Sequence, residues 1–375
     1  MPRLEEFKLE RYFAHHEFTA PYLLCCSDSE SWSIKDLLAL EPGSENEFHH
    51  LHLGYTEAPG GVPLRREING LYDTLGINQI IVTAGAEEGI FIFINSMFGP
   101  GDHIIVQTPG YQSLYEVARA AGCEVSCWPM QASEIGWGVD VQKLKELIKP
   151  QTRAIVINNP HNPTGYIMSR AELDYIINLA REHDLYLFSD EVYRYLEYHR
   201  EERLPAACDL YGKAVSLGVM SKSFGLPGLR IGWVASHDQK ALSNMKYYKD
   251  YTTICSSGPS EFLAALAIRN RERILGHSRH IIQENLKLLD SFLARYESLF
   301  SWYSPQAGPV AFPALANQVD SESFCSELVE KAGVLLAPGY LFDYPGPHCR
   351  IGFGRKNFPV VLDRLEQYLK NKNLG

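Results

Sequence analysis

The sequence predicts an α/β protein with a mostly parallel sheet packed between helices. Strand-like apolar runs alternate with helical runs from residue 80 to residue 236, the order that builds βαβ units. The residues best suited to chemistry follow those strands or close them, and the carboxyl ends of strands are where such sheets gather their ligands.

Taken in order, IIVTAG at 80–85 is a strand that feeds a helical stretch ending at the turn FGPGD. HIIVQTPG at 103–110 is the next strand, followed by a helix from about Tyr111 to Ala121 and by the strand CEVSCWPM. RAIVINNP at 153–160 and LYLFSDEV at 185–192 flank the helix ELDYIINLAREH. KAVSLGVM at 213–220 and LRIGWVAS at 229–236 complete the strand series. After about Ser260 the pattern changes: 261–299 reads as helix, GPVAFPAL and CRIGFG as strands, and VVLDRLEQYLKNK as a terminal helix. There is no internal repeat, low-complexity tract or long linker.

The 375 residues are enough for two or three domain-sized units and a substantial core. The formal net charge of −10, without a Lys/Arg-rich block, argues against nucleic acid and anionic membrane surfaces as partners. No apolar run approaches a membrane span, and the charged start MPRLEEFKLERYF lacks the apolar stretch of a signal peptide, so a cytoplasmic protein is expected. The eight cysteines form no paired CxxC and no zinc-spaced Cys/His cluster, which predicts reduced, mostly buried thiols. His49, His50 and His52 lack a carboxylate or cysteine at matching spacing and read as a solvated strand edge rather than a metal site.

Four runs carry the chemistry. VMSKSFGLPGLRIGW at 219–233 sets Lys222 in a Ser/Gly turn with Arg230 eight positions on. A lysine amine forms a Schiff base with an aldehyde, and an arginine grips a phosphate through two parallel bonds. The others are NNPHNPTGY at 158–166, LYLFSDEVYRY at 185–195 and HCRIGFGR at 348–355. A lone lysine in such a loop is usually solvated surface, and an NPxG turn is common by itself. In this order and spacing the four runs resemble the class I/II aminotransferases, pyridoxal-phosphate (PLP) enzymes of fold type I. The resemblance extends from about Tyr55 to Arg355.

The resemblance implies a large PLP-binding domain over 45–265 and a smaller domain of 1–44 and 266–375 that closes over the cofactor. It implies Lys222 as the Schiff-base lysine, with Arg230 and the ring nitrogen's proton lowering its pKa. Asp190 then faces the pyridine nitrogen, where an anion sustains the electron sink; the bland alternative for a strand-end aspartate is a helix cap. Asn162 and Tyr193 match the donors to the ring's 3-oxygen, and Tyr111, in TPGYQSLY, matches the aromatic that stacks on the ring. The turn TAGAEEG at 83–89 offers the backbone amides of Ala86 and Glu87 to the phosphate, provided the Glu87 carboxylate points away. Tyr55, in GYTEAPGGVPLR, matches a tyrosine that reaches the phosphate from the neighbouring subunit, implying a homodimer. Arg350 matches the clamp on the substrate carboxylate; its bland alternative is a surface pair with an acid such as Asp343, and Arg355 reads as surface. The chain departs from the family at Val219, where a serine or threonine usually bonds the phosphate. Ser221 is expected among the cofactor contacts, without being assumed to replace that hydroxyl.

The expected activity is transfer of an amino group between an α-amino acid and a 2-oxo acid. The same constellation also serves a PLP-dependent lyase or cyclase, because the pocket selects the bond. A PLP-sensing regulator would need a DNA-binding domain for which the chain has neither length nor basic patch. The side-chain pocket should draw on the N-terminal segment, the loop 57–61 and the neighbouring subunit, with no charged partner assignable from sequence.

Overall fold

In the computed structural model, which describes residues 4–133, 136–316 and 318–374, a seven-stranded sheet forms the centre. Its strands are β1 (Ile80–Thr83), β2 (His103–Thr108), β3 (Glu124–Pro129), β4 (Thr152–Asn158), β5 (Tyr186–Asp190), β6 (Ala214–Val219) and β7 (Gly232–Ser236). The spatial order is β1-β7-β6-β5-β4-β2-β3. Every neighbour pair is parallel except those of β7, which runs antiparallel to both β1 and β6. The expected mostly parallel sheet is therefore present. The reversal of β7 follows from the short turn between Val219 and Gly232, which leaves no room for a crossover helix.

Helices cover both faces, so the central strands are apolar throughout rather than alternating. Ile104, Val106, Val156, Phe188 and Leu217 pack on one face with the helix Gly85–Met97. Ile105, Ile155, Ile157 and Leu187 pack on the other with the helix Arg170–Glu182. That second helix starts where its capping box dictates: Ser169 Oγ accepts from the Glu172 amide while Glu172 reaches back to the Ser169 N–H.

The C-terminal region builds its own core. The stretch 261–299 is two helices, Gly258–Arg269 and Arg271–Arg295, broken at Asn270. Strands are short here: Val310–Ala311 and Ala337–Pro338 flank Cys349–Gly352. Tyr22–Leu23 pairs in parallel with Val334–Leu335, which brings the N-terminal segment to this region. The histidine run differs from expectation, since His49 ends the helix Ser44–His49 and no strand edge is involved. No group of three or more His, Cys, Asp or Glu among the described residues could hold a metal. All eight cysteines are free thiols, and no described helix is long and apolar enough to cross a membrane.

Gly218, at the end of β6, lies opposite Trp233 of β7. A Cβ there would meet the indole Cε2 and Cζ2 at 2.4 Å, and Trp233 is fixed by its Nε1 bond of 2.8 Å to the Tyr72 hydroxyl. Gly218→Ala should lower stability by about 1–3 kcal/mol through overpacking, measured as a lower urea midpoint with an unchanged slope.

Candidate active site

The strand register brings the chemistry together. β4 and β5 are aligned so that Asn158 pairs with Asp190, and Asp190 pairs in turn with Leu217 of β6. The turn after β6 then delivers Ser221 and Lys222 to the same end of the sheet. A cavity of about 410 Å³ opens there. It is lined by Lys222, Asp190, Tyr193, Asn162, Tyr111, Ala86, Glu87, Ser221, Arg230 and Arg350. Ten of the eleven residues expected at the site thus share one cavity; Tyr55, 95% exposed, lies outside it within the single chain.

Lys222 Nζ donates to Ser27 Oγ at 2.8 Å. Burial lowers its pKa, and Arg350 pushes the same way while Asp28 opposes. The expected help from Arg230 is not the cause; desolvation and Arg350 are. Asp190 is buried and accepts the Val192 N–H at 3.2 Å, and burial pushes its carboxyl up to about 7. It caps no helix. A carboxylate held out of water with one backbone donor and no ion pair is suited to a cation brought by a ligand, such as a protonated ring nitrogen.

The phosphate end is equally specific. Gly85 adopts φ +81°, and a Cβ there would meet Arg230 Nη2 at 2.7 Å. The guanidinium thus lies against the first turn of Gly85–Met97, where the Ala86 and Glu87 amides have no partner within the helix. Arg230 has no ion pair among the described residues, and its Nη1 donates to the Pro227 carbonyl at 3.3 Å. Free amides at a helix start beside an unpaired guanidinium suit a phosphate. The Glu87 carboxylate does not leave the cavity wall: it accepts from the Ser113 hydroxyl and is raised in pKa by burial. Val219 and Ser221 both line the cavity, so a seryl residue is present in its wall, two residues from the position the family uses.

Arg350 is fully buried and is not a surface residue. Its Nε and Nη2 donate to the Cys25 carbonyl at 3.2 and 2.9 Å, and Nη1 donates to Asn162 Oδ1 at 3.1 Å. Asp343, its suggested surface partner, instead bonds Lys8 and Tyr115. Asn162 therefore spends its carbonyl on Arg350, and its side chain lines the cavity. Tyr193, expected to present its hydroxyl to a ring oxygen, donates it to the Ser27 carbonyl at 2.8 Å. Tyr111 donates its hydroxyl to Glu10 at 3.3 Å. Arg355 corrects the surface reading: it lines the cavity and grips both Asp28 oxygens at 3.1 and 2.9 Å.

The N-terminal segment lines the cavity as expected, but the sequence singled out none of its contributors Glu10, Phe13, Glu17, Cys26, Ser27 and Asp28, nor Asn158. Only Asn158 carried a local signal, as the strand-end neighbour of the NPTG turn. The N-terminal contributors reach the site through pairing with residues over 300 positions away. None of residues 57–61 lines the cavity; Glu57 is held by Arg65 at 2.7 Å.

Asp190 makes a pH prediction. Between the ordinary aspartate value of 3.8 and about 7 its carboxyl is protonated in the fold and ionised in the unfolded chain. The cofactor-free protein should therefore lose stability as pH rises through that window. Urea denaturation across the window should show this slope, and Asp190→Asn should flatten it; an unchanged slope would refute the assignment.

Comparison with known proteins agrees with this geometry. A PLP-dependent aminotransferase from Streptococcus suis 89-1591 has the same fold with a TM-score of 0.92, at 33% identity and with 99% of each chain covered. The PLP-dependent cyclase OrfR superposes with a TM-score of 0.90 at 30% identity, again with 99% of each chain covered. Capreomycidine synthase of Streptomyces vinaceus is 28% identical over 99% of this chain and 95% of its own length. The family model of aminotransferase class I and II matches residues 47–365. The chain belongs to the class I and II aminotransferases, with the fold type I architecture and pyridoxal phosphate as cofactor.

Proposed function

We propose that this protein is an aminotransferase that moves an amino group between an α-amino acid and a 2-oxo acid. The observation that carries this reading is the single cavity that holds Lys222, Asp190, Arg230 and Arg350. Lys222 is the residue that binds the cofactor's aldehyde; Arg230 and the Ala86 and Glu87 amides hold its phosphate, with Ser221 beside them. With the cofactor bound, Asp190 would hold the proton of its ring nitrogen, Tyr111 would cover a ring face, and Asn162 and Tyr193 would serve the ring's oxygen. Bound there, pyridoxal phosphate supplies an electron sink for negative charge at the substrate's α-carbon.

The chain's own groups do the rest. Arg350 orients the substrate by its carboxylate through a fork already fixed by Cys25 and Asn162. Lys222, whose pKa is lowered by burial, takes the proton from the substrate's α-carbon. Where it returns that proton decides the product. A second reading, a lyase or cyclase, is favoured by the names of two relatives that align over 99% of this chain, a cyclase and a synthase. Amination of an added 2-oxo acid at the expense of the amino donor distinguishes transfer from both elimination, which releases ammonia, and ring closure.

We further propose that residues 45–265 form the PLP-binding domain and that 1–44 with 266–375 form the smaller domain closing over it. The Arg350–Asn162 bond supports such a closed arrangement. The working unit on this reading is a homodimer, with Tyr55 reaching the other subunit's phosphate. Its full exposure, shared with Leu53 and Tyr251, supports an interface there. The free thiols and acidic charge support a cytoplasmic location.

Borohydride treatment of the holoenzyme and peptide mapping should place the cofactor on Lys222, and Lys222→Ala should abolish the label. Label on another lysine would overturn the site. Arg350→Lys keeps charge but loses the fork, so the KM for amino acid substrates should rise about ten- to a hundredfold, at about 1.5–3 kcal/mol per charged bond. The cofactor's absorbance should stay unchanged; an unaltered KM would assign the carboxylate to another residue. Sedimentation should give a dimer, and a fully active monomer would remove the role of Tyr55.

A further inference from the structure

The proposed chemistry accounts for most charges in the cavity but not all. On that reading Asp190 answers the ring nitrogen, Arg230 the phosphate and Arg350 the substrate carboxylate. Asp28 is held by Arg355 through two bonds. Of the remaining cavity carboxylates, Glu87 accepts the Ser113 hydroxyl at the first turn of Gly85–Met97, which leaves Glu10 and Glu17 on the opposite, N-terminal element. Neither has an ion pair among the described residues; Glu10 receives the Tyr111 hydroxyl at 3.3 Å, and the Glu17 side chain has no hydrogen-bond partner there.

Their placement is set by one helix. Lys8–His16 continues through its cap at Glu17 in helical geometry. Leu9, Glu10, Phe13 and Glu17 fall on adjoining helical positions and all face the cavity. The wall is therefore apolar with a carboxylate toward each end. Such a wall suits a side chain with an aliphatic stem and a cationic head. Burial raises the pKa of Glu17 against the opposing pull of Arg355 and Lys222, neither of which forms an ion pair with it.

An independent observation puts a ligand against this helix. Arg350 is fully buried, lines the same cavity and has no acidic partner among the described residues. Its three hydrogen bonds leave two of its five N–H groups without a partner among the described residues. A buried guanidinium in that state calls for an anion from outside. Its centre lies 6.0 Å from the Phe13 ring, so an anion held by Arg350 sits next to the face that carries Glu10 and Glu17. A molecule with a carboxylate at one end and a cation at the other matches both.

We propose that the substrate of this site is an α-amino acid with a positively charged side chain, recognised by Glu10 and Glu17. This rests on the amino-acid reading given under Proposed function and adds the substrate class to it. Glu17, the more enclosed of the two, is the principal partner of the cationic head, and Glu10, tied to Tyr111, holds the approach beside the ring. Both act as specificity residues, since neither is needed to hold the cofactor.

The test uses the holoenzyme and the change in cofactor absorbance on addition of an amino acid, which reports engagement whether transfer or ring closure follows. L-Arginine and L-ornithine are compared with L-citrulline, the neutral near-isostere of arginine, and with L-norvaline. The two cationic amino acids should act at concentrations lower by about tenfold or more than the neutral ones, the worth of one charge-assisted bond. Glu17→Gln, and Glu10→Gln with Glu17→Gln, should shrink the arginine-to-citrulline ratio toward one while norvaline changes little. An unchanged cofactor spectrum in each variant shows that the site is intact; if a variant loses the cofactor, the wild-type ratio decides alone. Equal response to arginine and citrulline in the wild type, or a ratio that survives both substitutions, would overturn the proposal while leaving the amino-acid reading in place. Silence toward every amino acid would overturn that reading and this inference with it.

Discussion

The structure turns on the buried guanidinium of Arg350. It sits on the strand Cys349–Gly352 and bonds the Cys25 carbonyl from the N-terminal segment and Asn162 from the turn after β4. Three parts of the chain that are far apart in sequence meet at one cation. Phe342 lies 5.0 Å from the guanidinium centre and Phe13 lies 6.0 Å away, which removes water from it. Removing a charge from water is expensive unless every donor is answered. Here two of the five N–H groups have no partner among the described residues, and the residue lines the cavity.

The same logic applies across the site. Asp190 is buried with one backbone donor, Arg230 lies unpaired against a helix start, and Lys222 is half-buried with its amine on Ser27. None of the three has an ion pair among the described residues, and together they line one cavity at the carboxyl end of one sheet. Stability alone would not assemble such a group, since apolar residues of similar volume would serve the fold as well. Perturbed groups gathered in a cleft mark a functional site. Ser27 joins the cluster from the N-terminal segment, taking the Lys222 amine on its hydroxyl and the Tyr193 hydroxyl on its carbonyl.

The sheet supplies rigidity where this chemistry needs it. The register of β4, β5 and β6 fixes Asn158, Asp190 and Leu217 in a row, and Asn158 Nδ2 donates to the Asp190 carbonyl at 3.0 Å. Gly218 and Trp233 then lock β6 against β7 at the base of the lysine turn. The N-terminal helix is attached by packing of Leu9, Tyr12 and Phe13 and by a few side-chain bonds: Lys8–Asp343, the Lys8 N–H to Gln112, Tyr12 to the Leu336 carbonyl and Tyr111–Glu10. A side-chain wall carried on such a helix can differ between relatives without disturbing the sheet.

The sequence by itself determined the strands, the turns after them and the residue types that stand there. Those depend on local periodicity and on short motifs whose parts are within a few residues of each other. Lys222, Asp190, Asn162, Tyr193 and Arg230 were legible for this reason, and so was the departure at Val219. Tertiary structure decided what depends on pairing across distance. It reversed β7, buried Arg350 and moved Arg355 from an expected surface position to a bond with Asp28. It also set Glu10 and Glu17 in the wall of the cavity, through a helix whose short sequence has no motif. Which charges face one another is a property of chain segments that meet more than 300 residues apart, and no local pattern encodes that meeting.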